Sequence, residues 1–575
     1  MASNLPLWPK PRSARWLSGA ANGSAWVLAP GFRVDVARPL PRGPQPLLAT
    51  AARLCPLLWR PTAVRPNAVA LLERLEVTVL GGDGGGVVSR VRTGAGALGA
   101  DDLLATYLPS LQDPQAEAYT LSIVPGEGAG PPRVSARLAA RSVAGAMRGL
   151  ETFAQLFTRA HPGVLVPSGG GGGGGGLVVE DMPAVAWRGL LVDVARHYLP
   201  PPLLVATLDA MAAVKLNVLH LHLVDSQSFP LLLDHTSGVG ALDVTALGRH
   251  GGFPRLREPR LGIAPLTGTG DGEGDGGDPA SEAEDATEVA GPHGRAGWHF
   301  GGSSSGDGSG GNRGGNGDRA TPFGGVYGYS SDELRMIVRE AALRGIRIVP
   351  EVDVPAHTRS WGAAFPDIVV DCAAATATAQ SPTDIPALDP SKNLTFAVVA
   401  AVLEAVAEVF PDEYLHLGAD EVRLECWRED AALMAWAAAQ GLGAGIEAAW
   451  RLFDYFEDRI LALAQPLGKR VVLWQGAVDQ GLRLDFSFNA SASASAIAAE
   501  AALPAAAAAA AASSTAASRA QVSRSGETGG GGLGRAGAAR PGVTIEPWKC
   551  WSGLDSGAAA KAAGRGMAVL DASCW

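Results

Sequence analysis

The sequence predicts an α/β fold, a closed (β/α)8-type TIM barrel behind a small α+β unit. Three observations point there. From residue 185 onward, strand-like and helix-like stretches alternate, the order that lays parallel strands beneath helices. The strand-like runs are short and continuously apolar, as strands buried on both faces must be. One of them, residues 414–417, runs into two adjacent carboxylates, Asp420 and Glu421. The C-terminal ends of barrel strands are where such enzymes keep their chemistry.

Residues 1–166 mix short β-rich runs with one clear helix over 141–157. There Val143, Met147, Leu150, Phe153 and Leu156 share one apolar face. Residues 167–182 carry an unbroken glycine tract with no following Lys-Ser/Thr, so they read as a linker rather than a phosphate loop. The barrel is expected over 183–575. Its strands are expected at 189–194, 218–224, 346–352, 414–417, 471–473, 543–545 and 567–570. A helix over 203–215 is entered through Pro200, Pro201 and Pro202. Another over 329–344 starts with Ser330 and Glu333 at capping-box spacing. Two inserts interrupt the pattern. Residues 267–321 are rich in Gly, Asp and Ser and too poor in apolar residues to bury a core. Residues 490–539 are Ala/Ser-rich, then Gly-rich, with no distinct face.

A chain of 575 residues is long enough for more than one domain, and its 75 glycines cluster in the linker-like segments. A formal charge of -10 gives no reason to expect nucleic acid or an anionic membrane surface as partner. No apolar run reaches membrane-spanning length. Five cysteines do not make a disulfide scaffold. Sequons at Asn22, Asn393 and Asn489 matter only in a secreted chain, and no basic-then-apolar leader is visible at the start.

The segment Y-L-H-L-G-A-D-E-V-R-L-E-C-W (414–427) resembles the signature of the β-N-acetylhexosaminidases, glycoside hydrolase family 20. Other blocks match in the family's order. They are W-R-G-L-L-V-D-V-A-R-H-Y (187–198), K-L-N-V-L-H-L-H-L-V-D-S-Q-S-F-P (215–230), G-I-R-I-V-P-E-V-D-V-P-A-H-T (345–358), V-V-L-W-Q (471–475) and I-E-P-W (545–548). L-P-L-W-P-K-P (5–11), Y-T-L-S-I (119–123) and R-G-L-E-T-F-A-Q-L (148–156) resemble the family's non-catalytic front domain.

The resemblance implies a retaining exo-glycosidase that removes terminal N-acetyl-β-D-hexosamine from glycans or chito-oligosaccharides, without a cofactor. The substrate's own acetamide oxygen would act as nucleophile, a departure from the two-carboxylate scheme. Glu421 would be the acid and then the base, and Asp420 would stay ionised to hold the acetamide N–H. His357 and Asp225 would tune the acid, Arg188 would grip the sugar hydroxyls, and Trp474 and Trp548 would wall the acetamide. The resemblance also implies a bridge between Cys372 and Cys426, against the plain alternative of two free buried thiols. It implies a lysosomal, vacuolar or extracellular setting and leaves a homodimer open.

The matched barrel has eight strands where seven are legible here, so the expectation is a barrel truncated after the seventh. A sugar-binding remnant of the same fold is therefore the alternative function. A third reading takes His220 and His222, both on one strand face, as metal ligands; His357 and His416 could be offered as further ones, but no second pair or Lys bridge is suggested. Ala419 stands where the family has Gly, and Leu221 where it commonly has Trp. The alanine would be strained if φ there is positive, and either change would alter the pocket's shape.

Overall fold

The computed structural model describes, in the main, residues 9–16, 25–37, 69–80, 113–126, 133–158, 164–165, 176–233, 242–254, 326–370, 387–479, 543–547 and 567–570. Both inserts, most of the glycine tract, Cys372 and Trp548 lie outside them. Among the described residues, no helix is long and apolar enough to cross a membrane.

The N-terminal part is a seven-stranded mixed sheet with one long helix, Val143–Thr158, packed on it. The five apolar positions of that helix are all buried. They meet the inward residues of Tyr119–Pro125 and Arg133–Ala140, where Leu121, Ile123, Val134, Ala136 and Leu138 alternate with solvent-facing neighbours. One boundary is corrected here. Leu177–Asp181, assigned to the linker, is a strand of this sheet, antiparallel to both Ser13–Trp16 and Tyr119–Pro125. Its alternating Leu177 and Val179 are fully buried.

The second sheet is parallel and takes its strands in chain order. They are Gly189–Asp193, Val218–Val224, Arg347–Val354, Tyr414–Gly418, Arg470–Trp474, Val543–Glu546 and Ala568–Val569. All seven expected strands are present, with ends displaced by a few residues. The second, third and fourth are buried along their whole length. The first and last, at the edges, are partly exposed, Leu190 at 39% and Val569 at 37%, so continuous apolarity did not mean burial on both faces there.

Helices follow the strands as expected. Pro201–Ala213 begins one residue after Pro200, whose fixed φ suits a helix entry. Ser331–Ala342 is capped by the box read from sequence: Ser330 Oγ accepts from the Glu333 amide, and the Glu333 carboxylate accepts from the Ser330 amide.

Buried charge joins the two sheets at the N-terminal end of the barrel strands. Arg148 donates to Gly345 O at 2.6 Å and pairs with Glu117 at 3.3 Å. Lys215 Nζ reaches Tyr119 Oη at 2.9 Å and Asp181 Oδ2 at 3.1 Å. A buried pair of this kind is costly to break, because the partner left behind stays charged out of water.

Candidate active site

Strand alternation places the site's inner wall. On Val218–Val224, His220 and His222 share one face, while Leu219, Leu221 and Leu223 turn into the hydrophobic core. Leu221 therefore does not line the site, and the expectation that it reshapes the pocket is corrected. Register then aligns His222 with Glu351 on the next strand, and Glu351 with His416 on the one after. The result is a row of ionisable groups across the barrel interior.

Glu351 is the centre of that row and has no exposed surface. Its Oε2 lies 2.8 Å from His220 Nε2 and 2.8 Å from His222 Nδ1, and its Oε1 accepts the Trp474 indole N–H at 2.7 Å. The other ring nitrogen of His222 is 3.0 Å from Asp225 Oδ2. Asp225 also receives Arg196 Nη2 at 2.6 Å, and His357 Nδ1 stands 3.3 Å away, without hydrogen-bond alignment. From His357 Nε2 it is 3.8 Å to Asp420 Oδ1 and 3.6 Å to Glu421 Oε2. Unaligned contacts of this length are common where a substrate has yet to tighten the site.

Two of the three residues that make the last link are held in strained backbone. His357 has φ 58° and Glu421 φ 52°, and Ala419 between the strand and the pair has φ 69°. The strain expected at Ala419 is thus real. Left-handed non-glycine residues cluster at working sites, where surrounding packing over-determines them. The two carboxylates of the pair have different surroundings: Asp420 is buried, whereas the Glu421 side chain is 52% exposed.

The charges sort accordingly. Burial pushes the Glu351 carboxyl up, but the neighbouring imidazoliums, His222 foremost and then His220, outweigh it and hold the group well below the usual range. Burial likewise opposes a charge on His222, yet Glu351 and Asp225 raise the ring to about 10, so it is an imidazolium between two carboxylates. Asp225 is held low, against burial, by His222, His357 and Arg196. His357 is raised despite burial, by Asp225 and Asp420. Burial raises Asp420, with His357 opposing, and raises its neighbour Asp353 much further, with Asp420 as the next cause. The two carboxyls titrate as a pair, and burial opposes charge on Asp353 more strongly than on Asp420.

Of the residues named from sequence, Asp225, His357, Asp420, Glu421 and Trp474 come together at the strand ends. Arg188 does not. It precedes the first barrel strand, and its guanidinium donates to the carbonyls of Lys215, Val185 and Ala186 and to the buried Glu117. That is the N-terminal end of the sheet, opposite the carboxylate pair, so its assignment to the sugar hydroxyls is corrected. The arginine at the site is Arg196, beyond the C-terminal end of the same strand, bound to Asp193, Asp225 and His222. Cys426 is disulfide-bonded.

Glu351, Asp353 and Glu546 were missed, and His416 was offered only as a metal ligand. The signal available was charge inside runs otherwise apolar enough to be buried on both faces, as in I-V-P-E-V-D-V.

Four groups among the described residues bring three ligand atoms within 4.8 Å of one another. In the group of His220, His416 and Glu546, tautomers work against a metal. The Gly418 amide donates to His416 Nδ1 at 3.0 Å, and burial lowers this ring to about 3, so it is neutral with its proton on Nε2. That nitrogen, 3.6 Å from Glu546, is a donor rather than a ligand. The other three groups are built from the Glu351, Asp225 and Glu421 contacts already described.

A parallel β/α sheet with a carboxylate pair and a histidine past its strand ends has its ionisable groups where β/α-barrel enzymes keep their chemistry. Residues 185–499 match the glycosyl hydrolase family 20 catalytic domain. The chain belongs to this family. Human β-hexosaminidase subunit beta is 28% identical over 347 residues, 60% of this chain and 46% of that protein. The β-hexosaminidase subunit A1 of Dictyostelium discoideum is 27% identical over 369 residues, 64% and 50% of the two chains. The chain thus spans about half the length of these relatives. In fold it is similar to the Flavobacterium johnsoniae chitobiase, with TM-score 0.54, 18% identity, and 99% and 59% of the chains covered. It is also similar to the family 20 β-N-acetylhexosaminidase of Streptomyces coelicolor, with TM-score 0.52, 17% identity, and 99% and 75% covered. These likenesses support a TIM-barrel catalytic domain.

Proposed function

We propose that this protein hydrolyses terminal, non-reducing N-acetyl-β-D-hexosamine residues of glycans or chito-oligosaccharides, with retention and by substrate assistance. The observation that carries the reading is the placing of His357 between the buried Asp420 and the exposed Glu421, 3.8 Å and 3.6 Å away.

Glu421 faces solvent, where a leaving group departs and water arrives. As an acid it gives its proton to the glycosidic oxygen while the acetamide oxygen closes on the anomeric carbon, forming an oxazolinium. As a base it then takes a proton from the water that opens the ring. Each attack inverts the anomeric carbon, so two give retention. Asp420, less opposed by burial than Asp353, acts as the carboxylate that accepts the acetamide N–H and offsets the positive charge that develops. Trp474, fixed by its bond to Glu351, stands as one wall beside the acetamide, and Trp548 is proposed as another. Asp225 and Arg196 fix the far side of His357, which adjusts the acidity of Glu421. The Cys426 disulfide supports pairing with Cys372 and an oxidising compartment, whether lysosomal, vacuolar or extracellular.

The test is turnover of a chromogenic N-acetyl-β-glucosaminide by the full chain and by Glu421→Gln. The amide keeps the shape but cannot give a proton, so kcat should fall by about a hundredfold or more while sugar binding survives. Near-normal turnover by the variant refutes the assignment of the acid. A wild type that binds the sugar but does not turn it over is the sugar-binding remnant instead.

A further inference from the structure

We infer that Glu351 is a positioning residue that ties the acetamide wall to the proton relay, through Trp474 on one oxygen and His222 on the other. It touches neither substrate nor leaving group in the reading above, on which this inference rests. What it does is hold two parts of the site in one geometry. Oε1 takes the Trp474 N–H at 2.7 Å. Oε2 takes His222 Nδ1 at 2.8 Å, and through His222 Nε2, at 3.0 Å, it orients Asp225 and hence His357. The carboxylate lies in register with His222 and His416 on flanking strands, so its position is set by the sheet and not by a loop. A site is most accurately held when its supporting groups stand on rigid elements.

The geometry also sets a charge pattern. Glu351 is faced by His220 and His222 from the second strand, His416 and Asp420 from the fourth, Trp474 from the fifth and Glu546 from the sixth, with Asp353 on its own strand. His222 is faced by Glu351, Asp225 and Arg196. His357 is faced by Asp225, Asp353, Asp420, Glu421 and Arg196. Among the described residues, Glu351 is the carboxylate that holds His222 through Nδ1, opposite Asp225 on Nε2. That cation, with Arg196, offsets the charge of Asp225. Neutralise Glu351, and His222 keeps only Asp225 to hold its proton, so its cation is weakened, most of all on the alkaline side. Asp225 then acts on His357 with less compensation, His357 holds its proton more firmly, and a firmer cation stands 3.6 Å from Glu421, where it favours negative charge.

The experiment uses the full chain. Histidine-selective NMR follows ring protonation against pH in wild type and Glu351→Gln, and kcat/KM is followed against pH for both. In wild type one buried histidine should stay cationic to about pH 10. In Glu351→Gln that titration should fall by about two units, and kcat should fall about tenfold to a hundredfold as the wall and relay slip. The alkaline limb of the profile should move to lower pH by about half a unit. His222→Asn should reproduce the shifted limb, whereas Trp474→Phe should leave the limb in place, since it cuts only the other arm. These two variants decide the matter if Glu351→Gln does not fold, which circular dichroism shows. An unmoved histidine titration in Glu351→Gln, or an unmoved limb in His222→Asn, overturns the inference. A wild type without turnover refutes the hydrolase reading, and the histidine titration still decides the role of Glu351.

Discussion

Replacing Gly418 by alanine should damage this protein far more than its size suggests, while the reverse change at the next residue should do little. Both positions are left-handed, Gly418 with φ 68° and Ala419 with φ 69°. For an alanine that conformation costs about 1–2 kcal/mol. At Gly418 a Cβ would also stand 1.7 Å from Asp353 Oδ1, 2.3 Å from its Cγ and 2.8 Å from its Cα. The carboxylate could swing aside, but the Cα belongs to a fully buried strand and cannot. Overpacking of this kind adds about 1–3 kcal/mol, so Gly418→Ala should lose about 2–5 kcal/mol in total. It should also lose turnover, because the displaced Asp353 is the carboxyl electrostatically coupled to Asp420. Ala419→Gly removes the left-handed penalty but gives up a buried methyl and gains unfolded-chain entropy, terms that nearly cancel. It should stay within about 1 kcal/mol of wild type. Urea unfolding, read as a change in midpoint at constant slope, measures both. A Gly418→Ala protein within 1 kcal/mol of wild type and equally active would refute the claim that this close approach positions the pair.

The two arginines of the first strand separate stability from activity. Arg188→Ala leaves Glu117 buried beside Arg148 alone and should cost about 3–5 kcal/mol with KM unchanged; Arg196→Ala should instead lower kcat/KM, and the opposite pattern in melting and kinetics would reverse the assignment. Glu546, which burial raises from 4.5 to about 7, should make the fold sensitive to pH. Between those values the folded state keeps a proton that the unfolded chain has released, so stability falls as pH rises, by up to about 3 kcal/mol. Glu546→Gln should therefore stabilise the protein more at pH 8 than at pH 5, and equal shifts in Tm at both would show that Glu546 ionises normally.

What could be read from the chain divides along a physical line. Features whose cause is local were legible. The Ser330–Glu333 box closes within three residues, and the apolar stripe of Val143–Thr158 repeats within one helix. Leu177–Asp181 was not legible as a strand, because what makes it one is pairing with residues 13–16 and 119–123, far away in the chain and across a glycine tract. Glu351 was passed over for a related reason. It sits inside a run whose apolarity marked it as core, and only the register with His222 and His416 shows that three strands bring their charges to one row.

Arg188 and Arg196 are the instructive pair, since both lie in one matched block and both are arginines. Similarity to a family motif cannot choose between them, but strand direction can. In a parallel barrel the side chain that reaches substrate must follow its strand, not precede it. Arg188 comes immediately before Gly189–Asp193 and is consumed by the carbonyls and the buried Glu117 at the floor. Arg196 comes three residues after the strand ends, on the same side as Asp225, Asp420 and Glu421. The rule that located the carboxylate pair, applied to the first strand as strictly as to the fourth, would have selected Arg196 from the sequence alone.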